Sequence, residues 1–417
     1  MSIDTEAFRR MQHIKQLSHA YLVYPSAVHT RFEHQVGTMH VAGIMARLLG
    51  MSQEEIDEVR MAGLVHDIGH GPFSHLFERV MLQSNDGDDN IHERISGIII
   101  TEDDEISNVL GDMSDPVLEI LGHRNRTGLT SQIQSEIISG SLDADRMDYL
   151  RRDSYHIGVK YGEFDFERMV HSLVRADQPD PNAPDGNVSK LCVGPKGIHV
   201  VESLRLARYM MHAQVYEHHT RLSADQMFLR ALRIAISDSV IDGNLLKIKK
   251  DGNNEEFLEF YKSLDDSSIY QMIIKNDPSS VPATILADIR RRNLLKRACD
   301  FTAENLTGHD HIFDSLLKQT PENYEEMCLR ISEAAGVPSH RVIFHRSTIK
   351  NKSYVEPIFY KSVKNLLHYL DSISPIAGLP TTNRFYVFGP PSVEIRRKIA
   401  KATAREIGID VELISEL

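Results

Sequence analysis

The stretch LVHDIGHGPFSH, residues 64–75, follows an apolar helical segment and contains three histidines, one aspartate, two glycines and one proline. A hydrophobic core does not require imidazoles at this density. The stretch therefore predicts either a solvated corner between two helices or the floor of a metal site. The adjacent pair His66-Asp67 does not decide between them, because such a dipeptide also occurs at an ordinary capped helix end.

Length and cysteine content limit the class of protein. The chain has 417 residues, which exceeds the usual domain length of about 100–200 residues and predicts one large domain or two unequal ones. No apolar run approaches the roughly 18 residues of a membrane span. The initial MSIDTEAFRRMQHIKQL is acidic and lacks an apolar segment, so we expect no secretory signal. Three widely separated cysteines, Cys192, Cys299 and Cys328, predict reduced thiols and a cytoplasmic protein.

The charge balance limits the class of partner. The formal net charge is −12, whereas non-specific binding to nucleic acid requires clustered lysine and arginine. Local binding to a single strand stays open but is not indicated. A small anionic substrate is compatible with this balance if the basic residues concentrate in one cleft. The unusual abundance is histidine, with 21 residues.

Helical periodicity dominates most of the chain. Near the opening stretch we expect a helix over residues 32–49 that Gly50 ends, and a helix over residues 53–65 that Ser52 caps. Pro72 suits the first turn of the next helix, which would reach Leu82. Further helices are expected over residues 143–153, 198–222 and 284–304.

Beyond residue 340, the sequence pattern changes from helical periodicity to short strand-like runs. RVIFHRSTI, RFYVFG and IDVELI predict strands around the helix SVEIRRKIAKATAREIG, and KLCVG with GIHVV predicts an earlier hairpin. The predicted fold class is mainly α. It combines a helical part over residues 1–335 with a small α+β region over residues 336–417.

Four side chains have metal-ligand chemistry and suitable placement: His34, His66, Asp67 and Asp145. Adjacent residues on a helix point about 100° apart, so His66 and Asp67 can converge only near a helix end, which Gly69 would supply. Imidazole and carboxylate ligands suit Mn, Fe, Ni or Zn, and suit Mg less well. Ligands so far apart in sequence predict several helices meeting at the metal.

The surrounding residues strengthen the metal interpretation. Arg31 lies three residues before His34, and His75 with Glu78 has the spacing of an acid–base pair on one helix face. The spacing i, i+4, i+8 recurs twice, in the sets Asp145, Tyr149 and Asp153 (with Arg146 alongside) and Arg208, His212 and Tyr216. Each set alone is compatible with a solvated helix stripe. Together they describe a pocket for a metal, a phosphate chain, a sugar and a base.

Four segments carry a resemblance to a known family: RFEH (31–34), HDIGHGPFSHLFE (66–78), HE (92–93) and DADRMDYLRRD (143–153). They resemble the HD-domain phosphohydrolases, and more narrowly the deoxynucleoside triphosphate triphosphohydrolases. FRRMQHIKQL and ARYMMHAQVYEHHTRL extend the similarity to residues 4–222. The resemblance implies a bundle of helices as the core of the helical part.

The resemblance also implies a role for each matching residue. His34, His66, Asp67 and Asp145 would bind one divalent ion (Mn, Fe, Ni, Zn or Mg), and a second Mg²⁺ would accompany the triphosphate. The implied acid–base residues are His75, Glu78 and His92. The implied triphosphate contacts are Arg31, Arg146 and Arg208. The implied sugar contacts are Gln16, Leu17, Tyr149, Asp153 and Tyr216, and His70 would line the same cleft.

The implied reaction is hydrolysis of a deoxynucleoside triphosphate to a deoxynucleoside and tripolyphosphate, in a homodimer or homotetramer. One alternative keeps the metal site but changes the substrate, giving a nucleotidase or a signalling-nucleotide phosphohydrolase. A third hypothesis is an idle regulator that binds nucleotides. The intact ligand set argues against it, because burying unneeded charged ligands costs several kcal/mol. The sequence does not indicate which base is preferred.

Overall fold

The computed structural model describes residues 4–85, 90–124, 129–179, 187–249, 252–349, 357–359, 367–369, 379 and 381–414. These residues are mainly α-helical, which confirms the predicted fold class. Among them, no helix combines the length and the apolar character that crossing a lipid bilayer requires.

The helices and strands have the following bounds. The helices are α1 (Glu6–Arg9), α2 (Arg31–Leu48), α3 (Gln53–Val65), α4 (His75–Ser84), α5 (Ile91–Glu102), α6 (Asp104–Leu110), α7 (Ser114–Ile120), α8 (Leu129–Ser139), α9 (Ala144–Ile157), α10 (Phe166–Ser172), α11 (Ile198–Met211), α12 (His219–Ser237), α13 (Glu255–Lys262), α14 (Asp266–Asn276), α15 (Val281–Arg290), α16 (Asp310–Leu317), α17 (Pro321–Ala335) and α18 (Val393–Ile407). The strands are β1 (Leu173–Pro179), β2 (Asn187–Val193), β3 (Lys296–Thr302), β4 (Ile343–Ile349), β5 (Pro357–Phe359), β6 (Leu367–Tyr369) and β7 (Thr382–Gly389).

The chain forms two compact units whose segments alternate along the sequence. The first comprises Met1–Met211, Asp242–Ile269 and Lys352–Leu379, and the second comprises His212–Ile241, Tyr270–Asn351 and Pro380–Leu417. The predicted division into residues 1–335 and 336–417 separates helical from α+β sequence, and it stays a prediction.

In the first unit, α2 packs against both α3 and α9. Local signals fix where two of these helices begin. At α3, the Ser52 hydroxyl accepts from the Glu55 amide at 3.2 Å while the Glu55 carboxylate accepts from the Ser52 amide at 2.6 Å, a capping box. Thr30 and Glu33 form the same motif at α2. The predicted helix over 53–65 and its Ser52 cap are thus confirmed.

The helix predicted to start at Pro72 begins later, at His75. Phe73 and Ser74 both have φ of 56°, in the left-handed region that an α-helix excludes. This backbone is tied to its surroundings, because the Phe73 amide donates to the Asp266 carboxylate at 2.7 Å and the Phe73 carbonyl accepts from the Ser18 hydroxyl at 2.8 Å.

Two other predicted helices are shorter than expected. Residues 198–222 do not form one helix, because α11 ends at Met211 and His212–Tyr216 form a π-helical segment. The helix predicted over 284–304 is α15 followed by the buried strand β3. A short apolar run has no decisive periodicity, so sequence patterning does not separate the helix from the strand.

The predicted hairpin is also revised. β2, which contains KLCV, pairs antiparallel with the preceding strand β1, whereas GIHVV lies mainly in α11. The sheet order in the first unit is β1-β2-β5-β6. In the second unit, β4 and β7 confirm the strands predicted in RVIFHRSTI and RFYVFG, in a sheet of order β3-β7-β4. IDVELI contains a 3₁₀ turn in place of a strand.

The aromatic core of the second unit lies between this sheet and the pair α17 and α18. Phe301 and Phe385 stack with ring centroids 5.3 Å apart, and Phe344 stacks on Tyr324 at 5.4 Å. Arg384 pairs with the fully buried Asp300 on the neighbouring strand. The helices and the sheet thus bury these rings between them, which is an α+β arrangement.

We expect Gly69→Ala to destabilise the first unit by about 1–3 kcal/mol. A Cβ at residue 69 would lie 2.2 Å from the His92 carbonyl oxygen and 2.5 Å from the Ser96 amide nitrogen, so α5 would have to move. Chemical denaturation measures the change. The control is Gly194→Ala, whose Cβ would meet atoms only at 3.6 Å or beyond. Equal stability of the two variants would contradict the close approach.

Candidate metal centre and acid–base cluster

Three elements bring the predicted metal ligands together. His34 lies on α2, Asp145 lies in the first turn of α9, and His66 with Asp67 follows α3 directly. The His34 Nε2 is 3.0 Å from an Asp145 carboxylate oxygen and 3.7 Å from Asp67. The His66 Nε2 is 3.4 Å from Asp67 and 3.9 Å from Asp145. One small space is therefore bordered by two imidazole nitrogens and two carboxylates.

Both histidines present Nε2 to this space because their Nδ1 atoms have partners behind them. The His66 Nδ1 donates to the Gly63 carbonyl at 2.9 Å, and the His34 Nδ1 lies 2.9 Å from the Asp148 carboxylate. Both Nε2 atoms are buried and have no hydrogen-bond partner among the described residues. A divalent first-row ion satisfies such a donor set, so the residues present fit a metal.

The electrostatics of the set also favour a cation. Burial opposes a charge on His34, yet the negative charge of Asp145 and the Asp148 carboxylate bonded to Nδ1 raise the pKa of this imidazole to about 10. Burial alone would raise the pKa of the Asp145 carboxyl, but His34 and His66 hold it well below its usual range. The carboxylates are thus ionised, and the site has the charge complementarity that a bound cation requires.

The turn that carries His66 and Asp67 is held from the other side. Arg10 donates to the carbonyls of Ile68 at 3.1 Å and His70 at 2.8 Å, and the Tyr261 hydroxyl donates to the Gly69 carbonyl at 2.8 Å. The adjacent side chains of His66 and Asp67 converge because α3 has ended and these backbone bonds fix the turn that follows it. Gly69 serves this turn by its close approach to α5.

Arg31, predicted to contact the triphosphate, is bonded to the ligand set. Its guanidinium donates to the Asp67 carboxylate at 2.5 Å and to the Ser74 hydroxyl at 2.9 Å. The side chain of Arg31 is almost fully buried. It therefore orients Asp67 and places positive charge at the metal centre, and its contact with phosphate stays a prediction.

A second cluster is built around the Glu78 carboxylate on α4. One of its oxygens accepts from the His70 Nδ1 at 2.5 Å, and the other accepts from the Nδ1 atoms of His75 at 3.2 Å and His92 at 3.0 Å. The His70 Nε2 lies 3.5 Å from Asp67. His70 thus connects the two clusters, and the structure brings together the predicted acid–base residues.

The members of this cluster differ in protonation. His75 and His70 hold the pKa of Glu78 well below its usual range, although burial alone would raise it. Burial, reinforced by Arg31, lowers the pKa of His70 to about 4. The Glu78 carboxylate outweighs burial and raises the pKa of His92. Of His70 and His92, His92 is therefore the imidazole better suited to carry a proton at neutral pH.

Several predicted substrate residues lie beside the metal centre on α9 and α11. The Tyr149 ring centroid is 6.5 Å from that of His34, and the charges of Arg208 and Arg146 both act on the Tyr149 hydroxyl. Arg146 also donates to the Ser141 carbonyl and lies 3.5 Å from the Asp143 carboxylate. The structure thus groups two of the predicted cations with Tyr149.

The residues predicted to contact the sugar are also placed in the first unit, with one exception. The Gln16 amide oxygen is buried without a hydrogen-bond partner among the described residues, and Leu17 beside it is buried. Asp153 is buried and accepts from the His29 Nε2 at 2.7 Å. Tyr216 lies in the second unit, on the π-helical segment, with its ring 5.0 Å from that of His212.

The sequence interpretation missed three residues. His29, which bonds to Asp153 and stacks on the His156 ring, is buried although it lies in a loop. Asp148 bonds to His34, and Arg152 bonds to Asp148 through two nitrogens, each at 2.8 Å. The i, i+4 spacing of Asp148 and Arg152 was a usable signal. It resembles the spacing of an ordinary surface ion pair, which is why it did not stand out.

Comparison with protein-family models gives two matches. Residues 31–153 match the HD domain, and residues 164–410 match the HD associated region. The first match ends at Asp153 and includes all four predicted metal ligands and the Glu78 cluster.

Curated relatives cover part of the chain. An uncharacterized protein of Methanocaldococcus jannaschii is 38% identical over 240 residues, which are 58% of this chain and 47% of that protein. The human deoxynucleoside triphosphate triphosphohydrolase SAMHD1 is 29% identical over 328 residues, or 70% of this chain and 51% of that protein. The chain therefore spans about half the length of these curated relatives.

Solved structures match nearly the whole chain. A hypothetical protein from Aquifex aeolicus has a TM-score of 0.68 and 26% identity, covering 96% of this chain and 93% of its own. A phosphohydrolase from Bacteroides thetaiotaomicron has a TM-score of 0.70 at 24% identity, with 93% and 94% covered. The latter likeness concerns the fold alone.

We expect Asp145→Asn to lower the affinity for a divalent metal by at least about tenfold, since even residues behind a ligand contribute ten- to a hundredfold. The Asp145 side chain is 34% exposed, so the fold should persist. Elemental analysis after dialysis against a weak chelator measures the bound metal. Asp112→Asn, at an exposed carboxylate, should retain wild-type content. Full occupancy in the Asp145 variant would remove this residue from the ligand set.

Proposed function

Because the chain belongs to the family of HD-domain phosphohydrolases with an HD-associated region, we propose that it hydrolyses deoxynucleoside triphosphates to a deoxynucleoside and tripolyphosphate. The observation that carries this proposal is the His70 bridge, whose two ring nitrogens face Asp67 at 3.5 Å and Glu78 at 2.5 Å. It holds a cation site and a proton-donating cluster side by side, as cleavage of a phosphate ester requires.

Three features support a nucleoside triphosphate as the substrate. The cations Arg146 and Arg208 act on Tyr149 beside the metal centre, where they would offset the charge of a phosphate chain. The orphaned amide oxygen of Gln16 offers an acceptor for a sugar hydroxyl. The relative named as a deoxynucleoside triphosphate triphosphohydrolase shares 29% identity over 70% of the chain.

In the proposed reaction, a water oxygen bonds to the α-phosphorus, the water gives up a proton to solvent, and the bond from this phosphorus to the 5′-oxygen breaks. His34, His66, Asp67 and Asp145 would hold one Mn, Fe, Ni, Zn or Mg ion. Such an ion supplies positive charge and lowers the pKa of a bound water.

The remaining contributions come from the chain. His92 would give its proton to the departing 5′-oxygen, and Glu78 would hold His92 in position and stabilise its protonated form. Tyr149, packed against C2′ of the sugar, would exclude a 2′-hydroxyl by its bulk. A second Mg²⁺ would accompany the triphosphate oxygens.

The same proposal includes a cytoplasmic homodimer or homotetramer. The three cysteines are buried free thiols, which suits a reducing compartment. Light scattering of the purified chain would give its mass in solution, and a monomer would contradict this part of the proposal.

The direct test incubates the protein with Mn²⁺ or Mg²⁺ and each of the four deoxynucleoside triphosphates, the ribonucleotides and the deoxynucleoside monophosphates. We expect a deoxynucleoside and intact tripolyphosphate, resolved by ion-exchange chromatography. Orthophosphate released from monophosphates would indicate the nucleotidase alternative. No turnover, even with mixed deoxynucleotides present as activators, would favour the nucleotide-binding regulator.

A variant of the acid–base cluster separates catalysis from metal binding. Glu78→Gln should lower kcat by about 10²–10⁴-fold while leaving the metal content unchanged, because the amide cannot stabilise a protonated His92. Steady-state kinetics and elemental analysis on the same sample test this. Glu54→Gln, at an exposed glutamate on α3, is the control. Loss of metal together with activity would show that Glu78 acts through the metal centre.

A further inference from the structure

We propose that the ion pair of Asp148 and Arg152 is a positioning device that fixes His34 for the metal and thereby sets the metal affinity of the site. This inference rests on the proposed role of His34 as a ligand. Neither Asp148 nor Arg152 belongs to the ligand set. Both act from behind it, on the ring nitrogen that faces away from the metal.

The geometry forms a continuous chain of polar contacts. The His34 Nδ1 lies 2.9 Å from one carboxylate oxygen of Asp148. The Arg152 Nε donates to that same oxygen at 2.8 Å, and its Nη2 donates to the other oxygen at 2.8 Å. A planar guanidinium bonded through two nitrogens leaves a carboxylate little freedom to rotate. The Asp148 oxygen is therefore fixed where it meets His34.

Burial distinguishes the Asp148–Arg152 pair from an ordinary ion pair on a helix surface. The Asp148 side chain is 7% exposed and that of His34 is 1% exposed, whereas Arg152 is 25% exposed. The carboxylate is thus shielded from water, and its orientation depends on Arg152. A carboxylate bonded to Nδ1 keeps the proton on that nitrogen, directs the ring and increases the electron density at Nε2. Each effect strengthens binding at Nε2.

Gly37 shows that the neighbouring helix makes room for this pair. Gly37 lies on α2, three residues after His34 and on the same face. A Cβ at residue 37 would lie 1.9 Å from an Asp148 carboxylate oxygen and 2.2 Å from the Arg152 Nη2. Any other residue would therefore displace the pair. The glycine, the carboxylate and the guanidinium form one arrangement that serves His34.

The test measures metal affinity directly, by competition between the purified full chain and a chelator for Mn²⁺. We expect Asp148→Asn to weaken the affinity by about 10–100-fold. Arg152→Gln should give a smaller loss that Arg152→Lys partly rescues. The matched control is Arg151→Gln, at the preceding residue of the same helix. The Arg151 guanidinium packs over the Phe166 ring, with its carbon 4.3 Å from the ring centroid. The Arg151→Gln variant should bind Mn²⁺ with wild-type affinity.

A second pair of variants tests the arrangement without touching a charge. Gly37→Ala should lower the metal affinity, because the new methyl group displaces the ion pair. Gly43→Ala lies on the same helix, and the three atoms nearest to its Cβ would belong to the flexible Arg60 side chain, the closest at 2.9 Å. Both substitutions raise helix propensity by a similar amount, so their difference reports the local clash. We expect Gly43→Ala to retain wild-type affinity.

Co²⁺ substitution adds a readout that a purely structural role would not change. The visible absorption of Co²⁺ bound to Arg152→Gln should shift relative to the wild type, because the His34 ring rotates. Unchanged affinity and spectrum in Asp148→Asn and Arg152→Gln would overturn the proposal. These measurements need no substrate, so their outcome is independent of whether deoxynucleoside triphosphates are hydrolysed.

Discussion

The orientation of two imidazoles is the constraint on which the site depends. His34 and His66 face a common space through Nε2 because their Nδ1 atoms are bonded elsewhere. The Nδ1 of His34 meets the Asp148 carboxylate, and that of His66 meets the Gly63 carbonyl. One acceptor is a side chain on α9, and the other is the backbone of α3. The packing of α2 against both helices therefore does more than bury apolar surface, since it sets the protonation and direction of the candidate ligands.

The buried charges of the site are also paired with nearby groups. Several ionisable groups lie close together with little water access, and each has an opposite charge or a backbone dipole beside it. Arg31 bonds to Asp67, while Arg10 bonds to the carbonyls of Ile68 and His70. Because Arg10 binds backbone, a buried cation fixes the turn itself and adds positive potential near it. Fixation and electrostatics come from the same side chains.

The sequence predicted α3 well because its signals are local, whereas the start of α4 and the end of α11 were predicted wrongly. Ser52 and Glu55 cap α3 by a recognisable motif, and the histidine and aspartate types of the motif stretch indicate metal chemistry without structural knowledge. The sequence did not predict what depends on distant contacts. The left-handed Phe73 and Ser74 are stabilised partly by Asp266, and Asp148 differs from a surface carboxylate only through burial. The roles assigned to site residues stay predictions.

The alternation of the two units along the chain has a consequence for synthesis. Residues up to Met211 supply His34, His66, Glu78 and Asp145, yet the segment Asp242–Ile269 belongs to the same unit. Tyr261 and Asp266, which bond to Gly69 and Phe73 in the motif turn, lie in that later segment. A nascent chain that has emerged only to residue 211 therefore lacks groups that shape its own motif. A fragment cut at that boundary would carry every candidate ligand but would lack the Tyr261 and Asp266 contacts that hold the motif turn.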